Sequence, residues 1–122
     1  ASARVLTKAI QAELPGQTAT VVFGTSADKD LSAIGHELLP IARRAIATRS
    51  SNPRAADPQR VAAALSAMGI EVDIEPDVAG AVANATRNAG TSDLILVTGS
   101  LFVVADAREA FGLATPDPGG LT

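Results

Sequence analysis

Lys29 lies between Asp28 and Asp30, in a polar loop that follows an apolar run and precedes a helix-like stretch. An ammonium on a flexible stem suits the holding of a carboxylate or phosphate as a point charge. The plainer alternative is a surface lysine paired with Asp28 or Asp30, worth little in stability, and spacing alone favours it. Ser100 follows Gly99 and opens a second helical stretch, so its hydroxyl and the nearby free amides could bind an anion with help from the helix dipole. Serine is also an ordinary N-cap, and position alone points that way. In SSNPRAADP, residues 50–58, Asn52, Pro53 and Arg54 share a loop. Arg54 could fork onto a carboxylate with two parallel hydrogen bonds, bridge to Asp57, or stay solvated.

Other reactive types are sparse. His36 is the single histidine, without partner histidines for a metal or a serine and aspartate for a triad, and reads as a surface residue. Asp73, Glu75 and Asp77 alternate around a strand end, where magnesium could bind, but no metal site is assigned. Neither GxxxxGK[ST] nor GxGxxG occurs, so the usual cradles for nucleotide phosphates are missing.

The elements that must position these residues follow from periodicity. Residues 3–14 have helical spacing and stop at Pro15-Gly16. Thr18 to Phe23 is a continuous β-branched and apolar run closed by Gly24, a buried strand. Leu31 to Leu39 reads as a helix capped by Asp30, and Ala45 to Thr48 as a short strand. Asp57-Pro58 starts a helix that Gly69 ends. A strand at Val72 to Ile74, a helix capped by Asp77, a strand at Leu94 to Val97 and a helix to about Phe111 complete the chain. Alternation of this kind predicts an α/β fold, a mostly parallel sheet with helices on both faces in a Rossmann-like three-layer domain. Ligands then bind beyond the carboxyl ends of the strands. The Lys29 loop, the Arg54 loop and the Ser100 turn should therefore share one edge.

Composition narrows the classes of function. The 122 residues suffice for one domain, and 47% hydrophobic content permits a core. A net charge of −3, dispersed Lys and Arg, three Phe and no Trp or Tyr argue against a nucleic-acid partner. No apolar run reaches the length of a membrane span. Cysteine is absent, excluding disulfides and thiolate chemistry and fitting a cytoplasmic protein. No secretion signal opens the chain.

Three stretches together, VFGTSADKDLSAIGHELLP, ATRSSNPRAADPQRVA and DLILVTGSLFVVADAR, resemble the C-terminal domain of folylpolyglutamate and dihydrofolate synthases, within the Mur ligase superfamily. The resemblance spans about Ala1 to Phe111. It implies a domain at 1–113 with a flexible tail at 114–122, closing over a separate P-loop domain that this chain lacks. The family phosphorylates a folate carboxylate with ATP and Mg2+ and lets the amine of L-glutamate attack the acyl phosphate. By that similarity Lys29 and Ser100 help hold the carboxylates of the incoming glutamate. The SNPR segment resembles the amino-acid-recognition loop of diaminopimelate-adding Mur ligases, which makes Asn52 and Arg54 candidates. Gly24, Asp28, Asp30, Thr98 and Gly99 would line the cleft. The family's Asp-Gly-Ala-His-Asn-Pro-like segment at the domain junction is missing, so the chain is expected to be a domain of a longer enzyme, inactive by itself. A Mur peptidoglycan ligase domain and a stand-alone Rossmann-like binding module are the alternatives.

Overall fold

The structure, a computed structural model, describes residues 8, 12, 13, 16, 18–88, 94–99 and 101–110; the side chains of 101, 102, 109 and 110 are left aside. Strands β1 (Ala19–Gly24), β2 (Ala42–Ala47), β3 (Glu71–Ile74) and β4 (Leu94–Gly99) alternate with helices α1 (Leu31–Leu38), α2 (Pro58–Ser66), α3 (Val78–Arg87) and α4 (Leu101–Ala110). The helix expected at 3–14 falls largely outside the described residues, although Lys8, Ala12 and Glu13 are helical. The tail expected at 114–122 lies wholly outside them.

The four strands form one sheet in the order β3-β2-β1-β4, and every pairing is parallel. Strand β1 reads ATVVFG and is buried throughout, as a central strand covered on both faces must be. Its side chains alternate between two cores. Val21 and Phe23 pack with Leu31 and Leu38 of α1 and Val61 and Leu65 of α2. Val22 meets Ile46, Ala81 and Ala85 on the opposite face, beneath α3. Helix α4 joins that layer through Val103 and Ala107, which pack on Val78 and Val82. Burying each such Val, Ile or Phe contributes about 1.5–3 kcal/mol, which fixes the helices against the sheet and so fixes where the loops emerge.

Three helices begin where the sequence suggests, each on an aspartate. Asp30 Oδ1 accepts the Ala33 amide at 3.1 Å, Asp57 Oδ1 that of Gln59 at 2.9 Å, and Asp77 Oδ1 that of Gly80 at 2.7 Å. Such caps contribute typically about 1 kcal/mol each. Strand β2 differs from expectation. It starts at Ala42 and ends at Ala47, three residues earlier than the apolar run suggests and one residue short of Thr48. Its first half carries Arg43 and Arg44, which break the apolar pattern. The backbone nevertheless pairs with β3 there, Arg44 opposite Glu71, and Arg44 finds polar partners under α3.

Connections run β1 to β2 to β3 in one direction and then return across β1 to β4, which puts the topological switch between β1 and β4. At their carboxyl ends Gly24 and Gly99 are paired in register. Gly99 has φ +126°, and a Cβ there would fall 1.7 Å from the Gly24 carbonyl oxygen. A Cβ on Gly24 would meet the Thr48 carbonyl at 2.8 Å and Val103 Cγ2 at 3.0 Å. Only glycine lets the ends of β1, β2 and β4 and the flank of α4 approach so closely.

Candidate functional site

Two loops leave the carboxyl edge side by side. The Thr48 amide donates to the Phe23 carbonyl at 3.0 Å, the Ala56 amide to Thr25 at 2.8 Å, and the Ala27 amide to Arg54 at 2.8 Å. Ser26 and Ala55 form an antiparallel bridge. The loop after β1 and the loop after β2 are thus stitched together as a short antiparallel extension of a parallel sheet. The second loop is shaped by its own side chains. Asn52 accepts the Arg54 amide on Oδ1 at 2.9 Å and receives the Ala55 amide on its carbonyl at 3.0 Å. Such an Asx turn is what an asparagine before proline favours.

Lys29 and Arg54 are both exposed on this rim, and among the described residues neither makes an ion pair. Asp28 lies between their influences. Its carboxyl is held below the ordinary range first by a hydrogen bond from the Ser26 hydroxyl, then by its own backbone amide, with the charges of Lys29 and Arg54 adding to the effect. The two cations brought together by topology can receive carboxylates from solvent, while Asp28 keeps a negative charge close by.

Several of the other expected residues that the structure describes have local structural partners. Asn52 is half-buried within its own turn, and Asp30 caps α1. Thr98 is buried at the end of β4, and Gly24 and Gly99 meet backbone to backbone. Ser100 lies outside the described residues. His36 holds the Ser32 carbonyl with Nδ1 at 2.9 Å. Asp73 takes the Arg44 guanidinium in an ion pair, Glu75 accepts from Asn84 Nδ2 at 3.0 Å, and Asp77 is a cap. Among the described residues no group of three or more His, Cys, Asp or Glu could hold a metal ion.

Sequence reasoning passed over three residues at this edge. Asp106 of α4 accepts from the Ser51 amide and hydroxyl, and Arg60 of α2 donates to the Ala27 carbonyl at 2.9 Å. Arg49 lines a cleft of about 460 Å³ between the loop after β2, the start of α3 and α4, with Ser50, Ser51, Asp77 and Asp106. Each partner is distant in sequence, 55 positions for Ser51 and Asp106 and 33 for Arg60 and Ala27. One signal was available: Asp106 directly follows the apolar run Leu101 to Ala105 that opens α4.

With this geometry in view, comparison with known proteins is informative. The sequence model of the Mur ligase, glutamate ligase domain, matches residues 1–101. A probable bifunctional folylpolyglutamate synthase/dihydropteroate synthase of Halobacterium salinarum is 40% identical over 88 residues, 71% of this chain and 11% of that protein. Among solved structures, folylpolyglutamate synthase of Mycobacterium tuberculosis complexed with ADP and AMPPCP superposes with a TM-score of 0.81 at 25% identity, over 92% of this chain and 27% of the other. The bifunctional folylpolyglutamate synthase/dihydrofolate synthase of Yersinia pestis, complexed with AMPPNP and Mn, gives 0.77 at 27% identity, over 91% and 26%. The chain therefore spans only about a quarter of the solved enzymes that it matches. No helix among the described residues is long and apolar enough to cross a membrane. Match and fold agree, and the chain belongs to the Mur ligase glutamate ligase domain family.

Proposed function

We propose that this domain is the C-terminal, amino-acid-receiving part of a cytoplasmic ATP-dependent ligase that joins L-glutamate to a folate or dihydropteroate carboxylate through an acyl phosphate. The observation that carries the reading is the stitching of the two edge loops, which brings Lys29 and Arg54 to one exposed rim around Asp28. L-Glutamate brings two carboxylates and one amine. Lys29 and Arg54 receive the carboxylates, Lys29 as a point charge and Arg54 through its planar fork. Ser100, the next residue in sequence after β4, is assigned to the same ligand on the strength of the family pattern.

The described residues offer no set that fits a divalent metal, since Asp73, Glu75 and Asp77 are engaged in an ion pair, a hydrogen bond and a helix cap. Nucleotide and metal are assigned, on the family pattern, to the central ATP-binding portion of the ligase, the partner of this domain. The work left to these residues is binding and orientation. Holding an amine in line with an activated carboxyl turns an encounter into a positioned reaction, and closure of one domain on another keeps water from the reactive intermediate.

The test is kinetic, in the complete ligase. Lys29→Ala and Ser100→Ala should each raise KM for L-glutamate more than KM for ATP. Glutamate kinetics unchanged in both variants would overturn the assignment, and turnover of a muramyl substrate in place of folate would move it to peptidoglycan ligases.

A further inference from the structure

Arg60 occupies the third position of α2, after the cap Asp57, Pro58 and Gln59. A cation is poorly suited to that place, because the first turn of a helix presents the positive end of its dipole and favours acids. Helix α2 has no acid in its first turn. The side chain finds its partner outside the helix: Nη1 donates to the carbonyl oxygen of Ala27 at 2.9 Å, across 33 positions of sequence.

Ala27 is the residue that enters the Asp28-Lys29 turn. Its peptide groups are held on both sides, the amide by the Arg54 carbonyl at 2.8 Å and the carbonyl by Arg60. At the other end of the turn Asp30 is fixed as the cap of α1. Between these anchors only Asp28 and Lys29 remain, and the Lys29 amide is itself bonded to the Ser26 carbonyl at 3.2 Å. A lysine carries its charge on a flexible stem, so the position of its backbone decides which points the ammonium reaches. Among the contacts that fix that backbone, the one from Arg60 comes from α2, the helix that directly follows the Arg54 loop.

We infer that Arg60 is a positioning residue, holding the Ala27 carbonyl so that Lys29 and Arg54 keep the separation that receives a dicarboxylic amino acid. This rests on the reading of the rim as the glutamate site, and goes beyond it by giving a role to a residue that does not touch the ligand. Arg60 is exposed, so replacing it leaves the core unaltered.

The experiment is a set of variants of the complete ligase: Lys29→Ala, Arg60→Met, Arg60→Lys, and Lys29→Ala with Arg60→Met. Arg60→Met should raise KM for L-glutamate about fivefold, the effect of losing one modest hydrogen bond, with KM for ATP unchanged. Arg60→Lys, which can still donate to a carbonyl, should recover part of that loss. In the Lys29→Ala background Arg60→Met should add nothing, because residues that act through one another are not additive. Amide exchange at Ala27 and Lys29 should quicken in Arg60→Met, a local readout of the freed turn. If Lys29→Ala raises the glutamate KM while Arg60→Met does not, or if the two effects simply multiply, the positioning role is overturned and the glutamate site stands. If Lys29→Ala is itself without effect, the site assignment falls and this inference falls with it.

Discussion

Asp106 receives the Ser51 amide on one carboxylate oxygen at 3.0 Å and the Ser51 hydroxyl on the other at 3.4 Å. Helix α4, which follows β4, thereby grips the loop that follows β2, and the Arg54 loop is moored there as well as at its bridge with Ser26. Because the pair is near the surface, water can replace either contact, and the stabilisation is about 1 kcal/mol. Asp106→Ala should lower stability by about that amount in urea titration and raise the glutamate KM of the complete ligase. A glutamate KM as in the parent would show that Arg54 is positioned without this mooring.

Arg54 separates charge from geometry. If its guanidinium grips a carboxylate through two parallel hydrogen bonds, Arg54→Lys keeps the charge and loses the fork. The lysine variant should then recover only part of the glutamate KM lost in Arg54→Ala. Full recovery would mean that the rim supplies charge alone.

The ion pair of Arg44 with Asp73 predicts an acid limb of stability. The Asp73 carboxyl is held below its ordinary 3.8, first by the Arg44 guanidinium and then by Asn84. A depressed folded value means that the stabilisation is complete above pH 3.8 and is lost as pH falls through the lower folded value. The Asp73 side chain is 46% exposed, so solvent screening keeps the contribution to about 1 kcal/mol. Asp73→Asn should be less stable than the parent by about that much at pH 7 in urea, and the two proteins should converge in strong acid. Parallel curves across the whole range would contradict it.

Gly99→Ala tests the close approach at the switch point. The substitution meets both a φ of +126° and a backbone oxygen 1.7 Å from the new Cβ. A loss of about 3 kcal/mol or more is expected, measured as a fall in the urea midpoint or as failure to recover folded protein.

How much of this the sequence disclosed depends on the range of the interaction. Asp30, Asp57 and Asp77 cap helices through amides two or three positions away, so a local pattern suffices to find them. The convergence of the Lys29 and Arg54 loops follows from strand direction, which alternation of elements dictates. Arg44 was illegible because its polarity argues against a strand. What overrides that argument is a set of partners 29 and 40 positions away, Asp73 and Asn84, supplied by β3 and α3. Arg60 and Asp106 were illegible for the same reason: each acts on a backbone group whose proximity only the folded chain creates. Asn52, offered to a ligand by the resemblance, has its side-chain oxygen on the Arg54 amide, a partner only two positions away.

The strand order has a consequence for how the domain assembles. Ala19 of β1 is paired with Ala42 of β2, 23 positions on, and with Leu94 of β4, 75 positions on. During synthesis β1 therefore meets its second neighbour only once residues 94–99 have been made, after β2 and β3. Contacts of such long separation slow the search for the native state. Until residues 94–99 arrive, the most apolar segment of the sheet has one unsatisfied edge, a template for pairing with another chain. Nascent or truncated forms ending before β4 are therefore the ones that should aggregate.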